Sequence, residues 1–166
     1  MKTILFLFLV NICSLTAHSQ TSERFNFRTS GANNTRYTIS LKTEKSISPE
    51  SRAAGGRFIT GRSQQEFRDS LFSIVEKFIP AERMQKINTG IFIGVDFSLT
   101  GEALRVRMHI QKEAMRKLSL DEDDLYALFQ NLLNMEIDMS TYEITWTQSS
   151  EDFLVFAYRI NLRPRK

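Results

Sequence analysis

Few side chains of this 166-residue chain could do chemistry. Outside a predicted N-terminal leader the chain has a single histidine, His109, and its one cysteine, Cys13, lies inside that leader. A Ser-His-Asp arrangement would have to use His109, which is predicted on the wetted side of a strand beside Arg105 and Arg107. Those arginines favour a neutral imidazole, and a solvated strand position paired with Asp96 across a hairpin is the simpler interpretation. We therefore predict a protein that is not an enzyme, with no catalytic residue.

The run Asp121-Glu122-Asp123-Asp124 is the strongest candidate for binding a cation. A calcium loop also needs a turn glycine and a distal glutamate in register, and neither accompanies this run. Acidic residues that stabilise the positive end of a helix dipole explain it better. Zinc would need more His or Cys, and no Gly-rich phosphate loop occurs. The sequence therefore predicts no metal and no cofactor. A pair of carboxylates that converge for glycoside hydrolysis stays open, because sequence spacing does not reveal it.

The stretch that would position these residues, 87–110, predicts a β-hairpin. Two runs of alternating apolar and polar residues flank the short turn Thr100-Gly101-Glu102. The face predicted to be buried consists of Ile91, Ile93, Val95, Phe97, Leu99, Leu104, Val106, Met108 and Ile110. The wetted face supplies the candidate residues for binding a partner, which are Phe92, Asp96, Ser98, Arg105, Arg107 and His109.

A helix is predicted on each side of this hairpin. Ser63 and Glu66 form a capping box before the first helix, which Pro80 ends. Ser119 and Glu122 form the same device before the second helix, predicted over 120–135. Each helix has one apolar stripe that we expect to pack on the hairpin. The stripes are Phe67, Leu71, Ile74, Val75, Phe78 and Ile79 in the first helix, and Leu125, Leu128, Phe129, Leu132 and Leu133 in the second.

Two further strands are predicted near the end of the chain, around a loop at 148–152. The first covers 141–147 and the second 153–162, with a basic tail after it. Tyr142, Trp146 and Tyr158 could form a platform on which a sugar stacks. They share the spacing of their strands' core residues, so we expect them inside.

Residues 20–62 form a basic segment rich in Ser, Thr and Gly that is predicted to be partly disordered. It has eight lysines and arginines against three acidic residues. One strand is predicted over 36–43, where Tyr37, Ile39 and Leu41 alternate with polar residues. A basic arm could make peripheral contact with an anionic membrane surface, although a solvated arm is the simpler interpretation.

The first 19 residues have the features of a signal peptide. A positive charge at Lys2 precedes an apolar run, and Ala17-His18-Ser19 predicts cleavage before Gln20. Lipidation at Cys13 is the alternative, but the residues directly before it are not small. We therefore expect a protein exported to the periplasm or the exterior, with no transmembrane segment in the mature chain and no nucleic-acid partner.

These elements predict one α+β domain over 63–166, with two helices on one face of a mainly antiparallel sheet. The region from the first helix to the last strand resembles the C-terminal domain of TonB and its relatives in bacterial envelopes. The matching features are the hairpin of residues 90–110 with its Thr-Gly-Glu turn, the helix over 120–135 and the apolar strand over 153–162. The chain departs from that family in having no Tyr-Pro opening and an additional strand at 141–147.

The resemblance implies a two-layer architecture and binding of another protein by addition of a strand. The leader that ends in Ser-Gln is similar to those of Bacteroidota. We therefore expect an exported, non-enzymatic cell-envelope protein that binds another protein. The alternative is a small periplasmic hydrolase or carbohydrate-binding protein. The sequence indicates nothing about the oligomeric state.

Overall fold

The computed structural model describes residues 22–45, 47–87 and 89–160. The predicted signal peptide, its cleavage before Gln20 and the basic tail after residue 160 lie outside the described residues. Within the described ranges, none of the helices combines the length and the apolar character needed to cross a membrane.

A five-stranded antiparallel sheet forms the centre of the fold. In chain order, its strands are β1 (Phe25–Ser30), β2 (Arg36–Leu41), β4 (Ile91–Ser98), β5 (Ala103–Gln111) and β7 (Phe153–Ile160). The spatial order β1-β2-β5-β4-β7 places the predicted hairpin β4–β5 inside the sheet. A separate antiparallel pair consists of β3 (Gly55–Phe58) and β6 (Tyr142–Trp146).

The described residues form four α-helices. They are α1 (Gly61–Phe78), α2 (Ala81–Met84), α3 (Lys112–Leu118) and α4 (Glu122–Leu133). α1 contacts α4, and α4 contacts β5. The predicted α+β class with mainly antiparallel sheets is confirmed.

The buried face of the hairpin follows the predicted alternation, with one irregularity. In β4 the alternating residues from Ile91 to Phe97 are fully buried. In β5 the register shifts where Phe97 pairs with Ala103. This bulge reverses the alternation, so that Ala103 is buried whereas Leu104, predicted in the core, is half-buried.

An aromatic cluster joins α1 to both sheets. The ring centre of Phe67 in α1 lies 5.7 Å from that of Phe97 and 5.0 Å from that of Phe156. Phe58 of β3 and Tyr142 of β6 lie 5.6 and 5.5 Å from Phe156. The small sheet therefore packs on the same core as the large one.

Both predicted helices are present, but their N-terminal caps are not the residues that were predicted. The Oγ1 of Thr60 accepts the N–H of Ser63 at 3.1 Å, so Ser63 lies inside the first turn of α1. The Oδ1 of Asp121 accepts the N–H of Asp124 at 2.7 Å and caps α4. Ser119, predicted as that cap, has a left-handed backbone and ends α3, a helix that was not predicted. Several residues near each helix start have a capping oxygen, and the direction of the incoming chain selects one of them.

The segment 20–62 contributes more structure than the sequence predicts. β2 lies inside the range 36–43 where a strand was expected, and β1 and β3 are additional strands. β1 pairs with β2, which in turn pairs with β5. The first two strands therefore belong to the main sheet and do not form a separate arm.

Residues 42–45 and 47–54 connect β2 to β3, and we call this connection the crossing segment. It begins after β2, which pairs with β5, and ends beside β7, which pairs with β4, so it passes from one edge of the hairpin to the other. At its end the N–H of Ala54 donates to the carbonyl of Phe153 at 2.7 Å. The carboxylate of Asp152 accepts the N–H of Arg52 at 2.9 Å and two N–H groups of the β6–β7 loop. These hydrogen bonds, of which the one from Arg52 has the largest effect, hold the pKa of Asp152 well below its usual range. The crossing segment is thus fastened beside β7.

The turn of the hairpin depends on Gly101. Its φ is +95°, and a Cβ at this position would collide with the carbonyl of Ile137. Its own carbonyl accepts the N–H of Ile137 at 2.9 Å. The hydroxyl of Ser98 accepts the N–H groups of Thr100 and Glu102. The turn is therefore shaped by its own residues and held against the segment that follows α4.

We predict that Gly101→Ala lowers the free energy of unfolding by at least about 2 kcal/mol, because a left-handed alanine is strained and its methyl group displaces the Ile137 carbonyl. Denaturant unfolding measures the change. Gly61→Ala is the matched control, since nothing lies within 4 Å of its Cβ position. It should be neutral or slightly stabilising. Equal destabilisation by the two substitutions would contradict this role of the turn.

Candidate functional site

The candidate site is the face of the main sheet that points away from α1 and α4, which we call the outer face. The pairing register aligns one residue from each of the five strands across it, in the row Arg28, Thr38, His109, Phe92 and Arg159. The six residues predicted to bind a partner all lie on this face, but the structure divides them into a closed and an open part.

Asp96 belongs to the closed part, which corrects its expected place on a wetted surface. The residue is fully buried. Its Oδ2 accepts Nε of Arg105 and its Oδ1 accepts Nη2 of Arg107, both at 2.7 Å. Across the hairpin it pairs with Arg105 and not with His109. Two charge-assisted contacts replace the water that this carboxylate would otherwise bind, so it is not available to a partner.

The crossing segment lies close to this cluster through Glu44. The Oε1 of Glu44 accepts the N–H of Leu41 at 3.1 Å, and its charge interacts with Arg105, Arg107 and Asp96. Burial raises the pKa of Glu44, although that hydrogen bond and the arginines act in the other direction. The two arginine side chains are only 27% and 33% exposed. We define the closed part as Asp96, Arg105 and Arg107, and its polar groups serve mainly the fold.

His109 lies on the open part and faces Phe92 across the hairpin. Its Nδ1 lies 3.0 Å from the Oγ1 of Thr38. Burial, and then the charge of Arg107, lower the pKa of His109. The imidazole is therefore neutral at about pH 7. This geometry explains His109 without a catalytic partner.

Apolar side chains of the open part are exposed to solvent. Phe92 and Val155 are each 43% exposed, and the guanidinium of Arg159 lies 5.6 Å from the ring centre of Phe92. Ala157 is exposed on the same face of β7. We define the open part as Phe92, His109, Val155, Ala157 and Arg159. Ser98, the remaining predicted contact residue, is half-buried and uses its hydroxyl in the turn.

Val155 and Arg159 were not predicted among the binding residues. The alternation in β7 does place both on the polar side of their strand. The alternation does not reveal which strand lies beside β7. That strand is β4, although 54 residues separate Ser98 from Phe153. The placement of Arg159 beside Phe92, and of Val155 beside Asp96, therefore depends on tertiary pairing.

Trp146 is 49% exposed, which corrects the expectation that all three aromatic residues lie inside. It pairs with Gly55 at the end of the small sheet, and a glycine has no side chain to cover the indole. Tyr142 and Tyr158 are half-buried and pack against the core. Trp146 is therefore a second exposed aromatic side chain, outside the outer face.

A cavity of about 340 Å³ between α1 and the segment after α4 brings Glu66, Glu136 and Asp138 to one wall. Hydrogen bonds from Ser140 lower the pKa of Asp138, whereas the general acid of a glycosidase needs a raised pKa. Among the described residues no group of three or more His, Cys, Asp and Glu side chains could hold a metal ion. The acidic run 121–124 forms the start of α4.

Comparisons with known proteins define the fold and not the function. No protein-family model matches this chain, and no curated protein matches it. The crystal structure of a DUF5043 family protein from Bacteroides uniformis ATCC 8492 is similar, with a TM-score of 0.50 and 11% sequence identity. The similarity covers 82% of this chain and 86% of that chain. At this identity the likeness shows a shared α+β fold alone.

We predict that Asp96→Asn lowers the free energy of unfolding by about 3–5 kcal/mol, because two guanidiniums lose the charge that compensates their burial. Urea unfolding followed by circular dichroism measures it. Glu143→Gln is the matched control. It removes the acid of an ion pair with Arg57 whose side chains are 73% and 51% exposed. The control should leave stability within experimental error. An Asp96→Asn variant as stable as the control would show that the cluster is not an internal ion pair.

The raised pKa of Glu44 predicts a pH-dependent difference between the wild type and Glu44→Gln. A carboxyl whose pKa is higher in the folded state stabilises below its unfolded pKa and loses that contribution as pH rises through the folded value. The stability of the wild type relative to Glu44→Gln should therefore fall as the pH rises above the usual pKa of a glutamate, about 4.3. Urea unfolding at several pH values measures the difference, with Glu50→Gln at an exposed position as control. A difference that grows with pH would contradict the assigned direction.

Proposed function

We propose that this protein is an exported, non-enzymatic binding module of the cell envelope that binds an acidic segment of another protein on the open part of the outer face. The observation that carries the proposal is the 43% exposure of both Phe92 and Val155 on the sheet face opposite α1 and α4. Exposed apolar side chains that cluster on one face and are bordered by polar groups are typical of interaction sites.

The charge of the face supports an acidic partner. Arg28, Arg36 and Arg159 are exposed around the apolar side chains. The carboxylate nearest to them in the sheet, Asp96, already binds two arginines. A partner would therefore meet a positive rim around an apolar centre, an arrangement that favours acidic residues next to an apolar anchor.

Addition of a strand is a compatible binding mode, and it is the one that the resemblance to TonB C-terminal domains implies. β1 lies at the edge of the main sheet, with β2 on its other side. An edge strand offers backbone N–H and C=O groups to an incoming chain. Its outward residue Arg28 belongs to the row that contains His109 and Phe92. A strand added at β1 would thus continue the same face.

The non-enzymatic part of the proposal rests on the side chains available. His109 binds Thr38 and stands near Arg107, and its low pKa reflects burial and positive charge without a carboxylate neighbour. The export of the protein rests on the leader predicted over 1–19. Both statements are parts of the proposal that experiments on the intact protein can test.

A carbohydrate-binding or hydrolytic role is the alternative, and one observation favours it. Trp146 exposes about half of its surface at the end of β6. A planar indole in this position could stack on a sugar ring. This surface is separate from the open part of the outer face, so substitutions distinguish the two functions.

The test introduces a photoreactive phenylalanine analogue at position 92, 155 or 59 in protein expressed in its own host. Ile59 is the matched control because it is exposed and apolar but lies after β3, away from the outer face. We expect one protein to crosslink from positions 92 and 155 and not from 59. Purified, that protein should bind the wild type at least about tenfold more tightly than Phe92→Asp/Val155→Asp, since each substitution places a charge in an apolar contact.

The controls distinguish the loss of a specific contact from a general loss of binding or of folding. Ile59→Ser should bind like the wild type, and circular dichroism should show that the double variant is folded. Equal crosslinking from all three positions, or tight binding by the double variant, would contradict the proposal. Binding that is lost in Trp146→Ala instead would favour the alternative function.

A further inference from the structure

A small cavity lies at the end of the outer face that is distant from the hairpin turn. Its volume is about 150 Å³. It is located where β4 begins and β5 ends, next to the open part. Its lining includes Phe92 and His109 of the open part together with Arg36, Thr89, Gln111 and Arg159.

The charges of the cavity are unbalanced. Arg36 and Arg159 line it, and no acidic residue does. Within the described ranges neither arginine forms a salt bridge with an acidic residue. An anion bound there would meet two positive charges that no acidic side chain in the lining compensates.

A residue that lines the cavity, Thr89, has an unused hydrogen-bonding group. The hydroxyl of Thr89 is buried and has no hydrogen-bond partner among the described residues. A buried hydroxyl without a partner costs free energy, and in folded proteins such groups usually bind a ligand or a water molecule. Gln111 supplies an amide to the same wall, and it pairs with Arg36 across β2 and β5.

We propose that this cavity binds a phosphate-sized oxyanion, held by Arg36 and Arg159 with Thr89 and Gln111 as additional donors. The ligand is inorganic phosphate or the phosphate group of a small ester. The volume is well above the roughly 10–15 Å³ that a single water molecule needs, so a group of several heavy atoms fits. Arginine binds phosphate oxygens in a bidentate manner, and the charge of about −2 on phosphate matches two guanidiniums.

A planar carboxylate fits this lining less well. It offers about four acceptor sites in one plane, and a single negative charge. Arg36, Thr89, Gln111 and Arg159 belong to four different chain segments, so donors from several sides could surround one anion, which suits the tetrahedral arrangement of phosphate oxygens. The proposal does not depend on a protein partner, because the site is formed by one chain.

Isothermal titration of the purified protein with inorganic phosphate, at constant ionic strength set with sodium chloride, tests the proposal. Arg36→Gln and Arg159→Gln should each raise the Kd for phosphate at least about tenfold, because each removes charge-assisted hydrogen bonds. Arg57→Gln is the matched control, an exposed strand arginine on the small sheet. Its Kd should stay within about twofold of the wild type. Titration with glycerol 3-phosphate in parallel shows whether the free ion or an ester binds more tightly.

Thr89→Val provides a second readout that does not depend on the arginines. Without phosphate its melting temperature should equal or exceed that of the wild type, since a methyl group replaces an unpaired buried hydroxyl. With phosphate its melting temperature should rise by less than that of the wild type. No heat of binding, equal binding by Arg36→Gln and Arg159→Gln, or displacement of phosphate by an equal concentration of chloride would each overturn the proposal. A loss of partner crosslinking with phosphate binding intact would overturn only the protein-binding function.

Discussion

The structure depends on one negative charge that has no contact with water. Asp96 stands in the second strand from the edge, and its neighbours on both sides belong to the sheet. A carboxylate in that position is tolerable only if positive groups compensate it, and Arg105 and Arg107 do so from the next strand. The pairing register of β4 and β5 is thereby specified on both faces, by apolar residues on one and by ions on the other. The crossing segment, with Glu44 near this cluster, can then cover part of the sheet without burying an uncompensated charge.

The outer face of β4 and β5 is divided. Asp96, Arg105 and Arg107, near the turn, are buried or half-buried, whereas Phe92 and His109, at the other end, are exposed. The accessible end combines exposed apolar side chains with arginines from β1 and β2, which follow one another in the sequence, and from β7, which is far from both. Ligand-binding residues on one face of an otherwise fully packed sheet need no movement of the core to meet a partner. The protein and phosphate sites that we propose both use this rigid support.

Periodicity predicted those elements whose contacts repeat along the chain. Alternation was sufficient for β4 and for β5 beyond its bulge, and the apolar stripes were sufficient for α1 and α4, because there each residue's side of the element follows from its number. Elements that rely on non-local pairing were missed: β1 has a short alternation, and β3 includes two glycines. α3 was missed because Ser119, which ends it, resembles the start of a helix. A local pattern could not predict the burial of Asp96 either. Alternation shows which residues lie on the outer face, but it does not show which of them become buried there. For the same reason the outward positions of Phe92 and His109 were predicted, and their neighbours Arg159 and Thr38 were not.

The order of strands has a consequence for how the chain folds. β4 lies between β5, which follows it directly, and β7, which is the last strand of the described chain. Until Phe153–Ile160 has been synthesised, one edge of β4 has no partner. Pairing β7 with β4 then closes a long loop of chain, which is entropically slow. An unpaired strand with the sequence Ile-Phe-Ile-Gly-Val-Asp-Phe is prone to aggregate, and Asp96 is its only charged residue. The same carboxylate that the native state must neutralise therefore protects the nascent strand from pairing with other chains.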